Sequence, residues 1–291
     1  MLIFARGWSC DRDGPGQRLM FYLKGCNLRC RYCGNPEGID PGVELMYYPE
    51  RRSGVPLAEC CRDGSLDCAN CRTYECVRIW RHPEHELAGE EISVDEVLLL
   101  ARESRRMFGE LGGVTFGGGE PTLQHRELFA AIDRLVAEGI DVTVESNASL
   151  PVYPQLIGRV DHLISDCKAV DDARHRALTG SGNAAILEHL RAAASGQRDL
   201  LVRVPLIPGY NADDAELERY RKFFTELNVL HQKNFGEALK AQCLRLHHMG
   251  MPKYRALRRE YPLAGVAEPT VAEAARFTEA WRAAGVEIIA S

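Results

Sequence analysis

A chain of 291 residues with 45% hydrophobic content can form a packed core, as one large α/β domain or one domain with an insert. A net charge of −5 argues against nucleic acid as the main partner. No apolar run approaches the roughly 18 residues of a membrane helix, and Met1-Leu-Ile-Phe-Ala-Arg lacks the pattern of a secretory signal, so the expectation is a cytoplasmic protein off the membrane.

In chain order, a strand is expected at Leu19–Lys24 and a helix near Val94–Leu111, where Ser93 precedes Asp95 and Glu96 as a helix start. Strands follow at Gly113–Phe116, Val142–Ser146 and His162–Asp166, with a helix near Glu127–Glu138 between the first two. A helix near Asn183–Ser195, a strand at Leu200–Leu206, a helix near Asp214–Leu227 and a strand at Gln242–Leu246 continue the alternation. Val271–Ala284 reads as a last helix and Val286–Ala290 as a last strand. Such repetition predicts a parallel sheet, without choosing between an open sheet and a barrel. Residues 38–91 break the rhythm, are rich in charge and hold five cysteines. A structureless stretch of that length needs something to order it, and metal is the obvious agent.

Eleven cysteines without an export signal point to metal rather than disulfides. Cys26, Cys30 and Cys33 form C-x3-C-x2-C directly after an apolar strand. Three thiolates on one [4Fe–4S] cluster leave one iron without a protein ligand, free to bind and reduce a small molecule. The plainer readings are a zinc knuckle, which wants a fourth ligand, or reduced core thiols. Cys68-x2-Cys71-x4-Cys76, with Cys60 or Cys61 upstream, offers four thiolates for a second centre. That centre is read as an auxiliary [4Fe–4S] cluster, with zinc on the same ligands as the alternative.

Other segments are less specific as plain sequence. Thr115-Phe-Gly-Gly-Gly-Glu-Pro121 ends a strand with glycines that let the backbone approach a ligand. Val144-Glu-Ser-Asn147 ends the next, with Glu145 free to face solvent. Asp166 and Lys168 share one face of a strand end, with Cys167 on the other. Arg203 lies in Leu201-Val-Arg-Val-Pro-Leu-Ile-Pro-Gly-Tyr-Asn211, and its planar fork suits a carboxylate. Leu246-His-His-Met-Gly-Met-Pro-Lys-Tyr254 follows the sixth strand, and Asp13-Gly-Pro-Gly16 with Arg18 reads as a turn.

Together these motifs resemble the radical SAM superfamily and, within it, the activating enzymes of glycyl radical enzymes, of the pyruvate formate-lyase activating type. The resemblance implies a partial (β/α)6 TIM-like barrel over residues 1–37 and 92–291, with residues 38–91 as a cysteine-rich iron–sulfur insert. It implies S-adenosylmethionine (SAM) on the open iron, Tyr32 near the adenine, and the methionyl amino group received by Gly118, Gly119 and Glu120. Ser146 and Asn147 would contact the methionyl or ribose part. Asp166 and Lys168 would face SAM, Arg203 would bind its carboxylate, and His247 would lie beside it with His248 in reserve. Asp13 and Arg18 would help receive the partner's glycine loop. The expected partners are SAM, a glycyl radical enzyme and a flavodoxin- or ferredoxin-type electron donor, with the chain a monomer. The alternatives are a radical SAM enzyme for a small molecule or peptide, and a non-catalytic iron–sulfur or zinc protein.

Overall fold

The computed structural model describes residues 1–51, 74–78 and 81–290. The calls on Cys60, Cys61, Cys68 and Cys71 lie outside the described residues.

The chain opens with β1 (Leu2–Cys10) and β2 (Gln17–Leu23), an antiparallel pair. β3 (Glu44–Tyr47) and β4 (His85–Ala88) form a separate two-stranded sheet, with α1 (Glu75–Arg78) between them in the chain. β5 (Glu90–Glu91) pairs with β1 at the sheet edge. The alternating part then runs through α2 (Val94–Phe108), β6 (Gly113–Gly118), α3 (His125–Ala137), β7 (Asp141–Ser146) and β8 (His162–Asp166). It continues with α4 (Asp172–Thr179), α5 (Ala184–Gly196), β9 (Leu200–Leu206), α6 (Asp214–Phe235) and β10 (Lys240–Arg245). α7 (Met251–Ala256), α8 (Val271–Ala283) and β11 (Glu287–Ile288) complete it.

The large sheet has the order β11-β10-β9-β8-β7-β6-β2-β1-β5. From β2 to β11 the strands are parallel. It does not close: β5 and β11 are its two edges, so the architecture is the expected partial barrel. All six internal strand calls hold to within two residues. Among the described residues of 38–91, β3, β4 and β5 went unread because they are too short for a period-two pattern to show. The β1 strand went unread: its apolar run Leu2–Ala5 stops at Arg6, and the strand sits near the sheet edge with much of it exposed.

Strand alternation sorts the side chains. Phe21, Val114, Phe116, Val142, Val144, Val202 and Val204 belong to the core under the helices, and Tyr220, Phe224, Phe277 and Trp281 pack into it from α6 and α8. The opposite parity carries Thr115, Thr143, Glu145, Asp166, Arg203 and Gln242. One face of the sheet is therefore hydrocarbon and the other is polar. The helix start read at Ser93 is realised as a reciprocal capping box with Glu96, and Thr270, not read from the sequence, makes another with Glu273.

Candidate active site

The cluster loop is a closed loop with three attachments. Its neck is made by Gly25 N and Cys26 N, which donate to the carbonyls of Gly38 (2.9 Å) and Ile39 (3.0 Å). Its middle hangs on the end of α4, where Arg29 N donates to Thr179 O (2.8 Å) and Arg31 N to Leu178 O (3.0 Å). The Leu-Thr-Gly segment thus serves the cluster loop through its carbonyls. On the third side, Gly250 rests on the loop: a β-carbon there would lie 3.2 Å from Cys33 O and 3.1 Å from Gly34 Cα.

Burial pushes the Cys26 thiol up to about 11 and the Cys33 thiol up to about 12, and Cys30 is raised for the same reason. Three thiolates here need a strongly cationic centre to stay ionised. Among the described residues, no three His, Cys, Asp or Glu side chains converge on a point that one metal ion could occupy. A cubane takes each thiolate at a different corner and needs only three of them, whereas structural zinc wants a fourth ligand. The donor set fits a [4Fe–4S] cluster.

The glycine motif is placed by the backbone. Gly119 N donates to Leu23 O (2.9 Å) and Glu120 N to Gly25 O (2.7 Å), and a β-carbon on Gly119 would fall 2.2 Å from Gly25 O. Only glycine permits that approach. The Glu120 carboxylate is fully buried and accepts from Thr122 N (3.1 Å), Thr122 Oγ1 (2.5 Å), Ser146 Oγ (2.9 Å) and Asn147 N (2.7 Å). Burial raises its pKa, and these donors oppose the rise. Oε1 takes three of these bonds and Oε2 only the one from Asn147 N, so Glu120 braces Ser146 and Asn147 and keeps an acceptor site on Oε2. Asn147 Nδ2 in turn reaches Asn27 Oδ1 (3.1 Å) and lies 3.9 Å from Cys26 Sγ.

Arg203 lies in register with Asp166 on one side and Gln242 on the other. Its Nε donates to Gln242 Oε1 (2.8 Å), and Nη1 meets Glu145 Oε1 (2.5 Å) with Asp13 Oδ1 at 3.6 Å. Its Nη2 donates to the Arg12 carbonyl. Glu145 thus does not face solvent. Burial and the neighbouring Asp13 push its pKa up to about 7, against the pull of Arg203. Glu145 shares strand parity with Thr143, the signal that could have placed it on the polar face. Lys168 donates to Asp166 (2.6 Å) with its ammonium 5.9 Å from the Tyr32 ring centre. Burial opposes its charge, but Asp166, Tyr32 and Cys30 together hold the pKa well above its ordinary value. Cys167 is buried in the core, as its parity requires.

Two adjoining cavities, of about 510 and 470 Å³, share Asp13, Leu244, Arg245, Leu246, His247 and Met249. The first also touches Arg203, and the second touches Tyr32. A cleft of about 80 Å³ touches Gly118, Gly119, Glu145, Ser146, Asn147, Asp166 and Arg203. The structure thus gathers Asp13, Tyr32, Gly118, Gly119, Ser146, Asn147, Asp166, Arg203 and His247 on these cavity walls, with Lys168 paired to Asp166. It removes two expectations. His248 is a structural residue, its Nε2 2.9 Å from Val266 O. Arg18 is fully buried at the opposite end of the strands, bonded to Asp141 and Thr115, so it cannot meet a partner's loop. Asn211 staples the site from below, donating to Lys168 O (2.7 Å) and Pro205 O (2.6 Å).

The radical SAM superfamily profile matches residues 20–220. The isethionate sulfite-lyase activating enzyme of Nitratidesulfovibrio vulgaris is 33% identical, over 87% of this chain and 86% of that protein. The indoleacetate decarboxylase activating enzyme of Tractidigestivibacter scatoligenes is 27% identical, over 95% and 93%. A radical SAM methyltransferase from Sphaerobacter thermophilus, 16% identical, superposes with a TM-score of 0.53 over 98% of this chain and 68% of that one, which shows a shared fold. Cluster loop, polar sheet face and relatives agree: this chain belongs to the radical SAM superfamily and, within it, to the glycyl-radical-enzyme activating enzymes.

Proposed function

We propose that this chain activates a partner glycyl radical enzyme by taking a hydrogen atom from a glycine Cα. The observation that carries the reading is the cluster loop clamped beside a polar cavity at the C-terminal ends of the strands, where sites of this architecture lie. Cys26, Cys30 and Cys33 hold the cluster. A cluster held there would supply one-electron reduction, with the electron drawn from a flavodoxin- or ferredoxin-type donor, of the SAM sulfonium, whose cleavage to methionine and a 5′-deoxyadenosyl radical would provide the acceptor for the glycine hydrogen.

The chain's own groups orient SAM. The Gly118–Gly119 backbone and Glu120 receive the methionyl amino group, and Glu120 also braces Ser146 and Asn147. Arg203 offers its fork to the carboxylate, Asp166 and Lys168 flank the ribose, and Tyr32 and His247 flank the adenine. Asp13 stands at the mouth, where the glycine loop enters. The protein acts in the cytoplasm as a monomer, and among the described residues no helix is long and apolar enough to cross a membrane.

Residues 38–91 carry a second centre, on Cys68, Cys71, Cys76 and either Cys60 or Cys61. Its described flank supports a metal nearby. His82 Nδ1 and Glu84 Oε1 face each other at 3.6 Å, and Glu84 Oε2 and both ring nitrogens of His85 are buried without hydrogen-bond partners. Orphaned buried donors and acceptors call for an ion or another missing partner. Iron, sulfide and zinc counts on the reconstituted chain decide between a second [4Fe–4S] cluster and zinc.

The test of function is to incubate the reduced, reconstituted protein with SAM and the glycyl radical enzyme encoded beside it. A doublet glycyl radical EPR signal is expected. SAM cleavage with no radical on any such partner would favour a small-molecule or peptide substrate.

A further inference from the structure

The exit of the cluster loop, Asn35–Glu37, receives an unusual number of cationic donors. Lys253 Nζ donates to Asn35 Oδ1 (2.7 Å) and Glu37 Oε1 (2.5 Å). Lys24 Nζ donates to Glu37 O (2.6 Å), and Arg259 Nη1 to Pro36 O (3.0 Å). The Glu37 side chain is only 7% exposed, and its second oxygen, Oε2, is buried without any partner. Lys253 is the cation paired with that carboxylate.

An exposed Lys–Glu pair contributes little, but a buried carboxylate stripped of its cation is costly, and the segment carrying it moves to find water. Here that segment follows Cys33 directly. Lys253 also lies three residues past Gly250, where a β-carbon would fall 3.2 Å from Cys33 O and 3.1 Å from Gly34 Cα. The start of α7 therefore meets the loop at its third thiolate and again just after it.

We propose that Lys253 is a positioning residue for the cluster: by pairing with Glu37 it fixes where Cys33 delivers its thiolate, and so the geometry of the open iron. The inference rests on the cluster reading of Cys26, Cys30 and Cys33. It is tested on the full-length, anaerobically reconstituted chain with Lys253→Met, Glu37→Gln and the double variant. The readouts are the rate of iron release to a chelator and the change in the reduced cluster's EPR spectrum when SAM is added. Melting of the iron-free proteins checks the fold.

Lys253→Met should release iron about ten-fold faster, the scale of a lost outer-shell partner, and show a smaller SAM-induced change. The double variant should be no worse than Lys253→Met, because the unpaired carboxylate is gone. Wild-type release and spectra in Lys253→Met would overturn the proposal, as would a double variant whose defect is the product of the two single ones. If the wild type itself binds no iron or ignores SAM, the failure lies in the activase reading instead.

Discussion

The two ends of the sheet handle charge in opposite ways. At the strand starts, Arg18, Asp141, His162, Asp199 and Lys240 alternate in sign from strand to strand. They are linked at 2.5 Å (Arg18–Asp141), 2.9 Å (Asp141–His162), 2.6 Å (His162–Asp199) and 2.9 Å (Asp199–Lys240). Burial alone would lower the His162 pKa, but its two carboxylates raise it to about 9, and Asp199, which burial would raise, falls to about 2. At the strand ends, Arg203 pairs with Glu145 (2.5 Å) and Lys168 with Asp166 (2.6 Å), but the pairs border open cavities that Asp13 and Arg245 also line. One end satisfies its charges internally and serves stability. The other leaves a charge pattern suited to a ligand.

The comparison breaks most sharply at the cluster loop. Cys30→Ala should abolish SAM cleavage and lower the iron count while leaving the melting temperature of the iron-free protein unchanged. A fully active Cys30→Ala protein would contradict the ligand set.

The largest stability effect belongs to the other end. Asp141→Asn strips Arg18, whose side chain is fully buried, of its carboxylate. Urea titration should show a loss of about 3 kcal/mol, as for other broken buried pairs, with SAM affinity unchanged. A loss below about 1 kcal/mol would mean that the row of charges is ornamental.

The same row predicts a pH dependence. His162 is raised in the folded chain, so its contribution is fully present below the unfolded value near 6.5 and is lost as pH rises through about 9. The wild type should lose about 2–3 kcal/mol across that window, and His162→Gln should flatten the profile. At the functional end, Arg203→Gln should weaken SAM binding by about ten- to a hundred-fold, the cost of a lost charge-assisted fork, with less effect on melting than Asp141→Asn. Equal effects on melting would erase the distinction between the two ends.

The sequence made some of this visible for physical reasons. The six internal strands are apolar on one face and flanked by amphipathic helices, so they stand out as apolar runs. β1, whose apolar run stops at Arg6, does not. α6 extends to Phe235, beyond the expected Leu227, because Gly236 in the left-handed conformation is the stop. The thiolate triad is legible because its ligands are contiguous. The roles of Glu120, Glu145 and Lys253 are not, because their partners Ser146, Arg203 and Glu37 are distant in the chain and meet only through strand register and helix docking.

The central claim is that one iron of the cluster held by Cys26, Cys30 and Cys33 is open to SAM. Electron–nuclear double resonance on the reduced protein, with SAM labelled at its methionyl amino nitrogen and carboxylate, addresses it directly. The account predicts hyperfine coupling from both labels, lost in Cys30→Ala. A well-formed cluster that couples to neither label would contradict it.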